Sequence, residues 1–334
     1  MATANITVPT GEGANIFAYL ATIILEKHGK DIGDAAINKN FALAYLNSKG
    51  KVMEVGGLDF AEPVLIEESG NFAFQNKYST ITANQQAPLR EFKFDPVVLS
   101  GAVVVNKIHE LMNKGPAQIK RHLTVLMQQA ETTVQNKLNT SFWASSPTAN
   151  IEPESIRTIV ADSPTSGTLG GITRSGNTWA QNKVSATTIS SVGSAAGVAS
   201  LHTFRIKLGG SAKVKPDFAL TTATIFGLLM GYMDNNRRLR SDEQMTKLGL
   251  ENFYFGTALL GYDGDGGTGE CPANHFYYLN SDHLFYKILE GANMTFEPMS
   301  YKDNSLNMTS VFYHSCNLTT NLPSSMGVLT AITG

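Results

Sequence analysis

Apolar residues first recur at helical spacing: Ile16, Phe17, Leu20, Ala21, Ile24 and Leu25 share one face of a helix predicted over residues 14–27. Thr10 and Glu12 before it resemble a cap region, and Gly29 ends it. A weaker helical pattern covers Asp34 to Leu46, after which Asn47-Ser48-Lys49-Gly50 forces a turn. From Lys51 to about Leu99 the period drops toward two. Val52, Leu58, Phe60, Val64, Ile66, Phe72, Phe74 and Tyr78 alternate with polar residues, and Gly56-Gly57 and Ser69-Gly70-Asn71 supply turns. The pattern predicts at least one long hairpin. Its apolar content is thin for its length, so one subunit has little with which to cover it, and unpaired strand edges invite partner strands. An ordinary meander on a globular domain is the plainer alternative.

Gly115-Pro116 opens the longest helix of the chain. Ile119, Leu123, Leu126, Met127, Ala130, Val134, Leu138 and Phe142 recur mostly three and four apart. Pro116 suits the first turn, where its missing N–H costs nothing. About 26 residues at 1.5 Å each give roughly 39 Å, and a helix of that length needs a broad surface to lie on. Residues 145–192 are the least helical part, with Pro147, Pro153, Pro164 and Gly167-Thr168-Leu169-Gly170-Gly171 marking long loops around a short helix near Glu152. Ser185 to Ser200 is low in complexity and reads as a junction. Beyond it the pattern turns α/β: a helix over Gly197 to Lys207, a strand Phe218 to Thr222, a helix Ala223 to Asn235, strands Leu250 to Gly261 and His275 to Asn280, and a strand-like tail from Met294 to Ile332.

Composition narrows the function. The chain has 334 residues, 42% hydrophobic but only 16% charged, against roughly 25% in ordinary soluble domains. With 26 Lys and Arg against 28 Asp and Glu the net charge is −2, which excludes a general polyanion binder, because phosphate neutralisation needs clustered cations. The two cysteines, Cys271 and Cys316, are too few for a disulfide framework. No positive n-region precedes the apolar run Ile16 to Leu25, and no run reaches the ~20 apolar residues that span a bilayer. Several Asn-x-Ser/Thr triplets (Asn139, Asn293, Asn307, Asn317) are what a chain rich in Asn and Thr produces by chance. The expectation is a soluble intracellular product with no membrane partner.

Candidate chemistry is sparse. Asp263-Gly264-Asp265-Gly266-Gly267 resembles a calcium loop, but Gly267 and Asn274 stand where positions five and twelve need ligands, so a flexible exposed loop is expected. Cys271, His275 and His283 match no zinc spacing and lack a fourth ligand. There is no Gly-x-Ser-x-Gly elbow and no phosphate-binding loop. The Gly-x-Gly-x-x-Gly match from Gly264 to Gly269 leads to Pro272 and a strand rather than opening a helix. Arg237-Arg238-Leu239-Arg240 could bind phosphates, but such a cluster more often ends a helix or pairs across an interface. These residues predict no catalytic site, no cofactor and no metal.

The order of features carries a resemblance. Leu43-Ala44-Tyr45-Leu46, Lys49-Gly50-Lys51 and Gly56-Gly57-Leu58-Asp59-Phe60-Ala61-Glu62-Pro63 resemble the N-terminal region of tailed-bacteriophage major capsid proteins of the Hong Kong 97-like family. Gly170-Gly171-Ile172 with Trp179, Lys215-Pro216-Asp217 with Thr221-Thr222, Arg237-Arg238, Leu248-Gly249-Leu250-Glu251-Asn252, Phe276-Tyr277-Tyr278-Leu279-Asn280 and Cys316-Asn317 extend it over about residues 41–320. The resemblance implies an α+β Hong Kong 97-like capsid fold: an N-terminal arm (1–50), an extended E-loop hairpin (51–90), a peripheral domain with a spine helix (91–195, helix 116–143), an axial domain (196–290), and return strands of the peripheral domain (291–334). It further implies a non-enzymatic, self-assembling shell protein that forms hexamers and pentamers around packaged double-stranded DNA. Its implied partners are its own copies and a portal protein, with a scaffolding protein that is either separate or absent, and with or without a decoration protein; it would be assembled in the host cytoplasm and reside in the virion. The Lys–Asn cross-link of some relatives has no match here. An encapsulin-type bacterial nanocompartment shell is the alternative of the same fold. An α/β enzyme with a site in the loops near Asp162 or Asp263 is the alternative from another class.

Overall fold

The computed structural model describes residues 40–65, 74, 76, 89–106, 116–212, 215–235, 240–267, 269–298, 300–301 and 307–333. The helix expected over 14–27, the start of the one expected from Asp34, the distal hairpin and Arg237-Arg238 lie outside them. Two compact units share the chain: residues 1–35, 99–134 and 291–314 in the smaller, and residues 36–98, 135–290 and 315–334 in the larger.

In chain order, helix α1 (Phe41–Ser48) is capped by Asn40, whose Oδ1 accepts from Leu43 N. Strand β1 (Val52–Val55) follows, then β2 (Phe60–Leu65), β3 (Leu89–Phe94) and β4 (Val97–Asn106). The long helix α2 spans Pro116–Phe142, and the short α3 (Ile156–Ile159) is closed by a capping box between Ser155 and Thr158. Small strands β5 (Thr168–Leu169), β6 (Ile172–Thr173), β7 (Lys183–Ser185) and β8 (Ile189–Ser190) lead to α4 (Ala195–Ala212), β9 (Phe218–Thr221) and α5 (Ala223–Asn235). Then come α6 (Glu243–Lys247), β10 (Phe253–Phe255), β11 (Ala258–Tyr262), β12 (Phe276–Leu279), β13 (Leu284–Leu289), β14 (Thr295–Phe296), β15 (Ser300–Tyr301), β16 (Asn307–Thr320), β17 (Gly327–Leu329) and β18 (Ile332–Thr333).

The larger unit is built around a six-stranded mixed sheet in the order β10-β11-β9-β12-β17-β7. Its central strands read Phe-Ala-Leu-Thr and Phe-Tyr-Tyr-Leu and are buried at every position, as strands covered on both faces must be. One face, with Ala219, Leu260, Phe276 and Tyr278, meets Leu201, Phe204 and Leu208 of α4 and Ile225, Phe226 and Leu229 of α5. The alternate positions point the other way. Phe218 meets the Tyr45 ring of α1 at 4.7 Å, and Tyr277 meets Trp143, just past the end of α2, at 5.4 Å. Also in this unit, β1 runs parallel to β13, and β13 pairs antiparallel with Cys316–Thr320 of β16.

In the smaller unit β14 and β15 pair antiparallel with the first half of β16, Thr295 opposite Tyr313 and Ser300 opposite Thr309, and β4 also pairs with β16. Phe296 packs on Phe312 at 5.0 Å, and Val103, Val105, Met294 and Met308 are buried.

Three features differ from the sequence reading. Leu250 to Gly261 is not one strand: Gly256 (φ +69°) turns the chain, making the hairpin of β10 and β11. The pattern from Lys51 does not all belong to the hairpin either: among the described residues β2 and β3 pair with each other, whereas Val52–Val55 joins β13. And the tail divides, with β16 pairing with β13 while Gly327–Leu329 crosses into the six-stranded sheet between β12 and β7. Among the described residues no helix is long and apolar enough to cross a membrane.

Candidate assembly surface

The ribbon of β2 and β3 pairs from Phe60 opposite Phe94 to Leu65 opposite Leu89, and among the described residues neither strand pairs with another sheet. A lone two-stranded ribbon is marginal in water, so something must hold it. At its base the inward positions Phe60, Glu62, Val64, Phe92 and Phe94 are all buried. Phe92 meets Trp179 at 5.3 Å, and Lys93 N donates to Gly170 O at 3.0 Å. Gly170 (φ +52°) is needed there, because a Cβ would stand 2.8 Å from that of Phe92. At the far end the alternation fails: Leu89, Arg90 and Glu91 are all exposed, Leu89 by 66%. Leu58, in the bend before β2, is 91% exposed. Among the described residues the ribbon thus holds one face firmly while Leu58 and Leu89 leave apolar surface exposed near its two ends.

The glycine loop after β11 is exposed at Asp265, Gly266 and Gly267, as the sequence suggests, and it is hydrogen-bonded to itself. Glu270 Oε2 accepts from Asp265 N and Gly267 N, both at 2.9 Å, and Asp265 in turn accepts from Thr224 N and Oγ1, closing the first turn of α5. Gly264 (φ +70°) and Gly266 (φ +88°) have no room for side chains. Asp263, at its root, accepts from Trp143 Nε1 at 2.6 Å and from Asn40 Nδ2 at 3.4 Å, and Asn40 also bonds Asn139. The end of α2, the cap of α1 and the root of the loop thus meet on one half-buried carboxylate, whose pKa desolvation raises despite those hydrogen bonds.

The other residues singled out by sequence are engaged separately. Cys271 is buried with its Sγ toward Pro272 O at 3.9 Å, and burial pushes its thiol well up. His275 is bound on both nitrogens, Nδ1 to Ala273 O at 2.6 Å and Nε2 to Asp162 at 3.4 Å. Burial works against its charge, but Asp162 and that carbonyl outweigh it and raise its pKa. His283 Nδ1 bonds Asn321 Oδ1 at 2.7 Å. Among the described residues no three His, Cys, Asp or Glu converge as metal ligands. Arg240 stacks on Tyr254. An open groove of about 440 Å³, lined by Phe226, Met230, Leu250, Phe253, Ser241 and Glu251 among others, lies beside α5.

No family model and no curated protein matches this chain. Solved structures do. The cyanophage A-1(L) capsid matches with a TM-score of 0.63 at 13% identity, over 85% of this chain and 91% of the capsid chain. The fold is that of phage capsid proteins. The capsid of Myoviridae phage XM1 (TM-score 0.54, 10% identity, 85% and 90% covered) and that of the empty GTA particle (0.53, 9%, 85% and 94%) match along similar lengths. The sequence had no signal for the Asp263 junction or the loop's self-bonding, since both depend on residues more than a hundred positions apart or on turn geometry. Of the residues that meet Phe92, Gly170 and Trp179 belong to one segment of the resemblance, whereas Phe92 itself belongs to none.

Proposed function

We propose that this chain is the major capsid protein of a tailed bacteriophage, self-assembling as hexamers and pentamers into the icosahedral shell around the double-stranded DNA genome. What carries the reading is the match to the cyanophage capsid over nine-tenths of that chain's length. The anchored but uncovered ribbon supports it, because such an element gains its missing contacts from another copy. On this reading residues 1–50 are the arm, 51–90 the extended loop, 91–195 the peripheral domain with its spine helix, 196–290 the axial domain and 291–334 the return strands. Strand pairing favours three adjustments: β1 and β13 go with β16 among the peripheral strands, and β17 with the axial sheet. Portal, scaffolding and decoration proteins are the further partners, with assembly in the host cytoplasm and residence in the virion. No catalytic role is assigned, because the residues with reactive groups serve as structural partners instead.

Negative-stain microscopy of the purified full-length protein tests this directly. Shells or rings of many copies are expected; a compact monomer or dimer at every concentration would overturn the reading. Shells that retain a cargo enzyme and never DNA would move the assignment to a nanocompartment.

A further inference from the structure

The anchored face of the ribbon holds one residue that its pattern does not call for. Between Phe60 and Val64, at an inward position where an apolar side chain would do, stands Glu62, only 6% exposed. Its Oε1 accepts from Lys287 Nζ at 2.8 Å and from Thr319 Oγ1 at 2.6 Å. Lys287 lies in the middle of β13 and is itself buried, and Thr319 lies opposite Phe285 on β16. Beside them Asn317, paired with Lys287, donates Nδ2 to Asp95 O at 2.7 Å at the corner joining β3 to β4, and its Oδ1 accepts from Glu154 N at 2.8 Å. The ribbon therefore rests on the strands beneath it partly through directional polar contacts in a dry place, and not through apolar packing alone. Buried ion pairs contribute little net stability against apolar residues of similar volume, but their geometry admits few arrangements.

We propose that Glu62, Lys287 and Thr319 form an angle lock: they fix the direction in which the ribbon leaves the body, at little or no gain in stability. The lock rests on the shell reading for its purpose, since a hairpin that reaches a neighbouring copy must arrive in one orientation, but its physical content belongs to the single subunit. Glu62, Lys287 and Thr319 are positioning residues.

The test uses full-length subunits kept below the concentration at which they assemble, spin-labelled at Leu89→Cys on the ribbon and Ile206→Cys on α4, both about two-thirds exposed. The native Cys271 and Cys316 are buried with raised pKa values and stay unlabelled. In the Glu62→Leu/Lys287→Leu double variant the melting temperature should stay close to wild type while the label-to-label distance distribution broadens by about twofold or shifts. Thr319→Val, which removes one donor and keeps the shape, should broaden it less, and it serves if the double variant fails to fold. An unchanged distribution in the folded variants overturns the lock. Because the distance is read before assembly, a protein that never forms shells would sink the shell reading and leave this result standing.

Discussion

At the scale of single residues, two desolvated groups make opposite demands on pH. His314, on β16 in the smaller unit, is 1% exposed, and burial lowers its pKa to about 4, outweighing the upward pull of its hydrogen bond to the Ala292 backbone. Its unfolded form therefore takes up a proton, near pH 6.5, before the folded form does. Stability from this residue is complete above that pH and declines as pH falls toward 4, by roughly 3 kcal/mol in all. Asp263 runs the other way: with its folded pKa raised, its ionisation disfavours the fold, so its contribution is present at low pH and lost as pH rises through the folded value. Asp263→Asn, which keeps an acceptor for Trp143, should raise the melting temperature at pH 7 and lose that advantage in acid; a lower melting temperature at pH 7 would show the charge itself to be required. His314→Gln should flatten the loss of stability between pH 6.5 and 4 in denaturant titrations. Gly261 makes a steric demand instead, because a Cβ there would run into the Phe41 ring of α1. Gly261→Ala should cost about 1–3 kcal/mol by overpacking, read as a shift of the urea midpoint at constant slope.

At the scale of elements, the ribbon yields the most direct prediction. Deleting Gly70 to Ser79, most of which lies outside the described residues, leaves the anchored base from Phe60 to Val64 and from Phe92 to Phe94 untouched. Subunits should therefore fold, with an unchanged circular dichroism spectrum, and fail to close shells under the microscope. Normal particles would refute the idea that the hairpin covers a neighbour. Replacing Gly264 and Gly266 by Asp is a poor probe of any contact this loop makes, because both have positive φ and crowd Glu270 and Ala273, so the loop's own fold would suffer first. Elements were legible in the sequence where their pattern is local. The helix opened by Pro116 ends within a residue of its expected limit, and Phe218–Thr221 and Ala223–Asn235 stand as read. What the pattern missed was either short or non-local. Five-residue α6 depends on its Asp242 cap, with Oδ1 accepting from Gln244 N and Met245 N, and β13 reads as one more mixed run until β1 and β16 flank it. Glu62 carries no signal of its own in the sequence, because its partner Lys287 lies 225 positions away and nothing in a single sequence links the two.

At the scale of the whole molecule, the shell reading makes a claim about charge. A shell's inner face meets a tightly packed polyanion, and a protein that bound it by its phosphates would need a cation for each contact. This chain balances at −2, and its first 26 residues contain neither Lys nor Arg. The cations that the structure describes are partly spoken for: Lys287 pairs with Glu62, Lys51 with Asp282, Lys93 with Glu91, Lys247 with Glu243, and Arg174 is buried against the carbonyls of Thr158 and Ile159. A protein making 6–10 phosphate contacts would lose roughly 10³–10⁵ in affinity between 50 and 200 mM salt, whereas one making few has little to lose. Containment of the genome would then fall to the interfaces between subunits and to a separate packaging motor, not to adhesion. Purified subunits should accordingly neither retard a duplex DNA fragment at about 150 mM salt nor need DNA in order to assemble. A sub-micromolar affinity that falls steeply with salt would contradict this, and would mean that residues outside the described part of the chain gather the cations that the rest disperses.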